Sequence, residues 1–147
     1  MKNEKQDLAG VRVLLLEGFA RQSMPIMEAL HKLGCHITTY NKSRLDMGYA
    51  SKYPDKKLLA FWDRNDELKS AKALMKILKK DHYDVTIPLT DFSATMLSKY
   101  KEKFERYTHV AVNDWEVFQC AGDKLNTMIA CMENDIPCPK TLRNTES

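Results

Sequence analysis

The chain alternates short apolar runs with segments whose apolar residues recur every three or four positions. Val11 to Leu16 is almost continuously apolar, as in a central strand covered on both faces. From Gln22 to Leu33, Ile26, Met27, Leu30 and Leu33 fall at helical spacing. Pro25 suits a first turn, where its missing N–H costs little, and Gly34 stops the helix. Cys35 to Tyr40 is rich in β-branched residues and reads as a second strand. Asn41 to Asp55 is a polar connection, and Lys57 to Phe61 a short third strand. Asp66 to Lys80 carries Leu68, Ala71, Met75 and Leu78 on one helical face. Asp84 to Leu89 reads as a fourth strand, although Pro88 removes a ladder donor near its end. Phe92 to Tyr107 places Met96, Tyr100, Phe104 and Tyr107 on one helix stripe, with Thr90 or Asp91 as N-cap. His109 to Val112 is a fifth strand. Asp114 can cap a short helix through Cys120, and Asp123 a last one through Glu133. On that last helix Leu125, Met128, Ile129 and Met132 form the stripe expected to be buried, and Pro137 and Pro139 exclude further helix.

Strands that alternate with helices predict an α/β, doubly wound, mainly parallel five-stranded sheet with helices on both faces. The expected Rossmann-like order is 3-2-1-4-5, with a switch point between the first and fourth strands, where ligands of such sheets bind. The expected division is a polar segment over 1–10, the α/β domain over 11–113, a helical linker and the start of a following domain over 114–142, and a tail over 143–147.

Composition narrows the class. A chain of 147 residues with 44% hydrophobic and 29% charged residues can bury a real core as one globular domain. No apolar run approaches the roughly 18 residues of a membrane span, and Met1 to Gly10 lacks the apolar core of a secretory signal, so a cytoplasmic protein is expected. A net charge of +3, with lysines scattered over helix surfaces, argues against nucleic acid as partner. Cys35, Cys120, Cys131 and Cys138 form no Cys-x-x-Cys pair and read as reduced, partly buried thiols. His31, His36, His82 and His109 share no ligand spacing with them, so no metal site is expected. A homo-oligomer is left open by the sequence.

Candidate chemistry begins at the first strand-to-helix turn, Glu17 to Ser23. A dinucleotide site needs Gly-x-Gly-x-x-Gly for close backbone approach to a pyrophosphate; only Gly18 fits, and Phe19 and Arg21 bring bulk. A helix N-terminus with Arg21 beside it could hold the carboxylate of a small-molecule substrate, which makes Gly18, Phe19 and Arg21 candidate binding residues. Thr90 and Asp91 fall next to that turn in the expected strand order and join them, although helix capping alone accounts for Asp91. A phosphoacceptor receiver domain shares the topology but needs an acidic pair and a distal lysine. Here Glu17 stands alone and Asn113-Asp114 takes the lysine's place.

The most specific signal is the stretch from Ala121 to Leu142. Gly122-Asp123 restarts a helix with Lys124 in its first turn, and Ile136-Pro137-Cys138-Pro139-Lys140-Thr141 follows as an extended segment. The two motifs at this distance resemble the junction between the N-terminal and ATP-binding domains of ATP-grasp enzymes, carbamoyl-phosphate synthase and biotin carboxylase among them. The resemblance covers roughly Val11 to Leu142, and Asp84 to Asp91 resembles a segment of the carbamoyl-phosphate-synthase-like members. It implies the N-terminal domain of an ATP-dependent ligase that works through an acyl phosphate, with ATP and Mg²⁺ as cofactors of the full-length enzyme. It further implies that Lys124 reaches the nucleotide, its ammonium neutralising phosphate oxygens. The glycine-rich phosphate loop, the second nucleotide lysine and the acidic Mg²⁺ ligands of that family would lie beyond Thr141. A C-terminal ATP-grasp domain is therefore the expected partner, and this chain alone is expected to lack catalysis. The alternative is a stand-alone Rossmann-like module that binds a small molecule without catalysis.

Overall fold

The apolar run near the start forms the middle of the sheet. In the computed structural model, which describes residues 8–139, β1 (Arg12–Leu15) has a parallel neighbour on each side. The chain continues through α1 (Ser23–Lys32), β2 (His36–Asn41), α2 (Met47–Ala50), β3 (Lys56–Leu59) and α3 (Glu67–Lys80). Then come β4 (Val85–Ile87), α4 (Asp91–Lys99), α5 (Lys101–Phe104), β5 (His109–Val110), α6 (Trp115–Gly122) and α7 (Lys124–Glu133). The five strands are all parallel in the order β3-β2-β1-β4-β5, so the expected topology and switch point are present.

Alternation along β1 divides the core in two. Leu14 and Leu16 enter a cluster with Tyr40, Trp62, Leu74, Leu78, Met96 and Phe104, which covers the face under α3 and α4. Val13 and Leu15 point the other way, to Met27, Ile37 and Leu89 beneath α1. Gly34 takes φ 77° just past α1, the left-handed turn that only glycine adopts without a steric cost.

Several expectations need correction. The helix expected over Phe92 to Tyr107 is broken at Tyr100 into α4 and α5, and Tyr107 is exposed rather than on the buried stripe. On α3 the inward face is Ser70, Ala71, Leu74 and Leu78, rotated so that Leu68 lies outside. Leu33 is likewise exposed at the end of α1. The polar connection from Asn41 to Asp55 contains the one-turn α2, and β3 starts one residue early. Pro88 falls just after β4 and costs the ladder nothing. The stripe of α7 is not buried: Leu125 and Met132 are exposed and Met128 and Ile129 half-buried. The reason is positional, since α7 packs chiefly on α6, outside the sheet's two core layers. Cys120 is exposed, against the expectation of partly buried thiols, whereas Cys35 is buried and its thiol is pushed up by desolvation. Residues 1–7 of the polar start, Lys140 to Leu142 and the 143–147 tail lie outside the described residues.

Candidate functional site at the carboxyl ends of the strands

The turn after β1 is clamped on three sides. The Leu16 N–H donates to the Ile87 carbonyl at 3.0 Å and the Gly18 N–H to the Tyr40 carbonyl at 2.9 Å, which ties it to β4 and β2. The Gly18 carbonyl accepts from the Gly48 N–H at 2.7 Å and from Ser23 Oγ at 3.0 Å. The one-turn α2 is thereby pinned onto the start of α1. Gly18 is needed for space: a Cβ there would fall on Asn41 Oδ1 and lie 3.1 Å from Asn41 Cγ and 3.2 Å from Gly48 Cα. Gly48 has the reciprocal constraint, its would-be Cβ 3.1 Å from the Gly18 carbonyl oxygen.

Asn41 is fully buried in this clamp. Its Nδ2 donates to the Thr39 carbonyl, Thr39 Oγ1 and the Leu58 carbonyl at 3.2, 3.0 and 3.2 Å. Its Oδ1 finds no N–H or O–H donor among the described residues. The Gly18 hydrogen that stands where a Cβ would stand points at this oxygen, a weak C–H···O contact in place of a true bond.

Beside the clamp lies the residue that sequence reasoning passed over. Glu17 is fully buried and adopts φ 57°, a left-handed conformation that costs a non-glycine residue on the order of 1–3 kcal/mol. Its carboxylate receives Trp62 Nε1–H at 3.1 Å and Thr90 Oγ1–H at 2.7 Å on Oε1, and Ser93 Oγ–H at 2.5 Å on Oε2. Trp62 is itself held edge-on between Tyr40 and Phe92, with ring centroids 5.1 and 5.4 Å away. A protein carboxylate thus stands beside the N-terminus of α4, where a ligand anion often binds in such sheets.

Five of the six candidate site residues lie at the carboxyl ends of the neighbouring strands β1 and β4, on the turn after β1 and at the start of α4. Gly18 is buried, Phe19 half-buried with Lys42 Nζ 4.7 Å above its ring, and Arg21 exposed. Thr90 is half-buried and stands at the N-cap of α4, where Ser93 Oγ accepts from its N–H at 3.2 Å. Of the two proposed caps, Thr90 therefore serves, while Asp91 is the exposed first residue of the helix. Lys124 is exposed at the start of α7, away from the sheet. Asp123 caps it, accepting from the Leu125 and Asn126 N–H groups at 2.8 and 3.0 Å. Asp114 stands at the N-cap of α6, but its side chain takes Lys101 Nζ at 2.6 Å instead of capping.

No family model matches the chain, and no curated protein matches it in sequence. Solved structures do match its fold. The biotin carboxylase subunit of pyruvate carboxylase superposes over 86% of this chain with a TM-score of 0.65 at 18% identity. The ADP complex of N5-carboxyaminoimidazole ribonucleotide synthetase covers 92% at a TM-score of 0.62 and 11% identity. The Mycobacterium tuberculosis glycinamide transformylase T covers 84% at 0.60 and 15%. This chain spans 28%, 32% and 32% of those chains, about a third of each. The parallel five-stranded fold of this chain is thus shared with part of each of these proteins. At these identities the likeness is one of fold.

Proposed function

We propose that this chain is the N-terminal domain of an ATP-dependent ligase of the ATP-grasp type, carbamoyl-phosphate-synthase-like, which activates a carboxylate as an acyl phosphate for attack by an amine or related nucleophile. The carrying observation is the superposition of 84–92% of the chain, at TM-scores of 0.60–0.65, on about a third of three such proteins. One of them is an ADP complex. In this reading the Gly18–Arg21 turn and Thr90 form part of the substrate crevice. Lys124, exposed on α7 and without an ion pair among the described residues, contributes a phosphate-directed charge to a nucleotide held mainly by a following domain.

The residues present do not make a complete site for the cofactors. Among the described residues no group of three or more His, Cys, Asp or Glu could hold a metal; in this reading the Mg²⁺ ligands are supplied by the following domain. One lysine is a small part of an ATP site. The 147-residue chain alone is therefore expected to bind ATP weakly and not to consume it.

The test compares steady-state ATP consumption by the natural full-length polypeptide with that by residues 1–147, in the presence of candidate carboxylates. Lys124→Ala in the full-length protein should raise the apparent KM for ATP, lower kcat, or both, at an unchanged melting temperature. Charge reversal of Lys99, which pairs with Glu67 at 3.0 Å, serves as control. Micromolar ATP affinity or clean ATPase activity of the short chain would refute the division of labour. Unchanged ATP kinetics in a folded Lys124→Ala protein would remove the role given to that lysine.

A further inference from the structure

Helix α3 presents two faces of opposite character. Ser70, Ala71, Leu74 and Leu78 point into the core. On the outer side Lys69, Lys72, Lys76 and Lys79 recur at steps of three, four and three, which places them in one stripe. At about 1.5 Å per residue the stripe runs about 15 Å. All four are exposed, and none of the ion pairs among the described residues includes them. Lys32, Lys99 and Lys101 on other helices have Glu28, Glu67 and Asp114 as partners. The acids at the ends of α3 are engaged as well: Asp66 caps it, Glu67 holds Lys99, and Asp81 holds Arg12 and Lys56. Like charges three and four residues apart disfavour a helix, so the stripe is a cost that the fold leaves uncompensated.

The stripe borders a hollow. A groove of about 480 Å³ runs along it, with Phe61 and Met75 as its apolar walls. Met75 is half-buried and Phe61 is 39% exposed. Phe61 is held from two sides: its carbonyl accepts from the Tyr40 hydroxyl at 2.7 Å, and Lys69 Nζ stands 4.3 Å from its ring centroid. Four cations and no acid line the groove, against a net charge of +3 for the whole chain. Its occupant is therefore anionic, and it brings apolar groups to Phe61, Met75 and the lysine stems. Single-stranded nucleic acid needs open aromatic faces, and the aromatic ring here has an ammonium over it. A flat bilayer meets the ammonium rim before the recessed Met75. A second helix with carboxylates at i, i+3, i+7 and i+10 repeats the lysine spacing and can carry leucines beside them.

We infer that the outer groove of α3 docks an acidic amphipathic helix of a partner protein. Its carboxylates face Lys69, Lys72, Lys76 and Lys79, and its apolar side chains lie against Phe61 and Met75. The groove shares no lining residue with the crevice above β1 and β4, and the inference does not rest on the ligase reading.

The probe is an alanine-based helical peptide with glutamates at i, i+3, i+7 and i+10 and leucines at i+4 and i+6, titrated into the 147-residue chain and followed by amide NMR. It should shift Phe61, Lys69, Met75 and Lys76. It should bind at least about tenfold tighter than its twin with glutamine for glutamate, a difference of about 1.4 kcal/mol. A twin that keeps the glutamates but has glutamine for leucine should bind at least about threefold weaker. Lys72→Glu with Lys76→Glu should weaken the peptide at least about tenfold, and should melt no lower than the parent because it relieves like-charge repulsion. Lys32→Glu with Lys52→Glu, an equal change of charge outside the groove, should stay within about twofold of the parent. A glutamine or leucine-free twin that binds as tightly, or equal damage from the Lys32 and Lys52 reversals, would overturn the inference. So would oligothymidylate or phosphatidylserine vesicles that bind at the same amides more tightly than the peptide, or the absence of groove shifts with the peptide.

Discussion

Replacing Gly18 by alanine tests whether the turn after β1 is built by close packing. The added methyl would land on Asn41 Oδ1, and neither neighbour can retreat freely. Gly48 Cα, 3.2 Å from the new carbon, is backbone pinned by the Gly48 N–H to Gly18 carbonyl bond. Asn41 can escape only by turning its amide, which breaks three bonds from Nδ2 to Thr39 and Leu58. Overpacking costs about 1–3 kcal/mol, and each buried hydrogen bond lost adds about 0.5–1.5 kcal/mol. Because the amide gives up only part of its network as the chain relaxes, a net loss of about 2–4 kcal/mol is expected. Urea unfolding should show it as a midpoint lower by roughly 1–2 M at constant slope. The cause is checked with Asn41→Ala, in whose background Gly18→Ala should cost less by about 1 kcal/mol or more. A Gly18→Ala chain within about 0.5 kcal/mol of the parent would refute the reasoning. So would a loss that Asn41→Ala leaves unchanged.

Leu14→Ala should lose about 2–5 kcal/mol in the same assay, since Leu14 is fully buried in the larger core cluster, whereas Leu68→Ala on the outer side of α3 should stay within about 0.5 kcal/mol. Asp123→Ala should destabilise α7 by about 0.5–2 kcal/mol and reduce its amide-exchange protection, because two N–H groups lose their acceptor. At the amino ends of the strands, Asp81 pairs with Lys56 and Arg12, and the Lys56 hydrogen bond, with Arg12 adding to it, holds its carboxyl below the usual carboxylate range. A folded-state value below the unfolded one gives stability that is complete above about pH 4 and lost as pH falls through the folded value. The stability gap between parent and Asp81→Asn should therefore shrink on acidification; a gap that stays constant from pH 6 down to pH 2 would contradict the pairing.

The sheet was legible because its signals are local. Val11 to Leu16 is apolar on both parities, and only a strand with helices on both faces needs that. Gly34 marks a left-handed stop that has few alternatives. Where local pattern and tertiary contact compete, legibility falls. Leu68 and Leu33 sit on helical stripes of the right period, yet a stripe fixes a helix's apolar face only to within a residue or so. The packing of α3 on the sheet chose Leu74 over Leu68. The stripe of α7 obeys the same period and is not buried, because periodicity reports that a face is apolar and is silent on what covers it.

The crevice shows the same limit more sharply. Gly18, Phe19, Arg21 and Thr90 could be named as candidates because a strand-to-helix turn and a strand end next to it are where such sheets bind ligands. Glu17, one residue before them, could not be. Read alone it is a charged residue at the end of a strand, and charged residues are ordinarily solvated. Its burial depends on donors 45, 73 and 76 residues away, at Trp62, Thr90 and Ser93. No window of sequence holds them together; only the strand order, which sets β4 beside β1 and carries Trp62 back over the sheet, does so. One signal was available: every neighbour needed for a neutral cage is polar yet uncharged, and the acid has no basic residue within its own turn until Arg21, which stays outside. Glu17 folds inward while the nearest base stays out, and the contacts that hold it there come from three later segments of the chain, so its burial is set by topology and not by any motif.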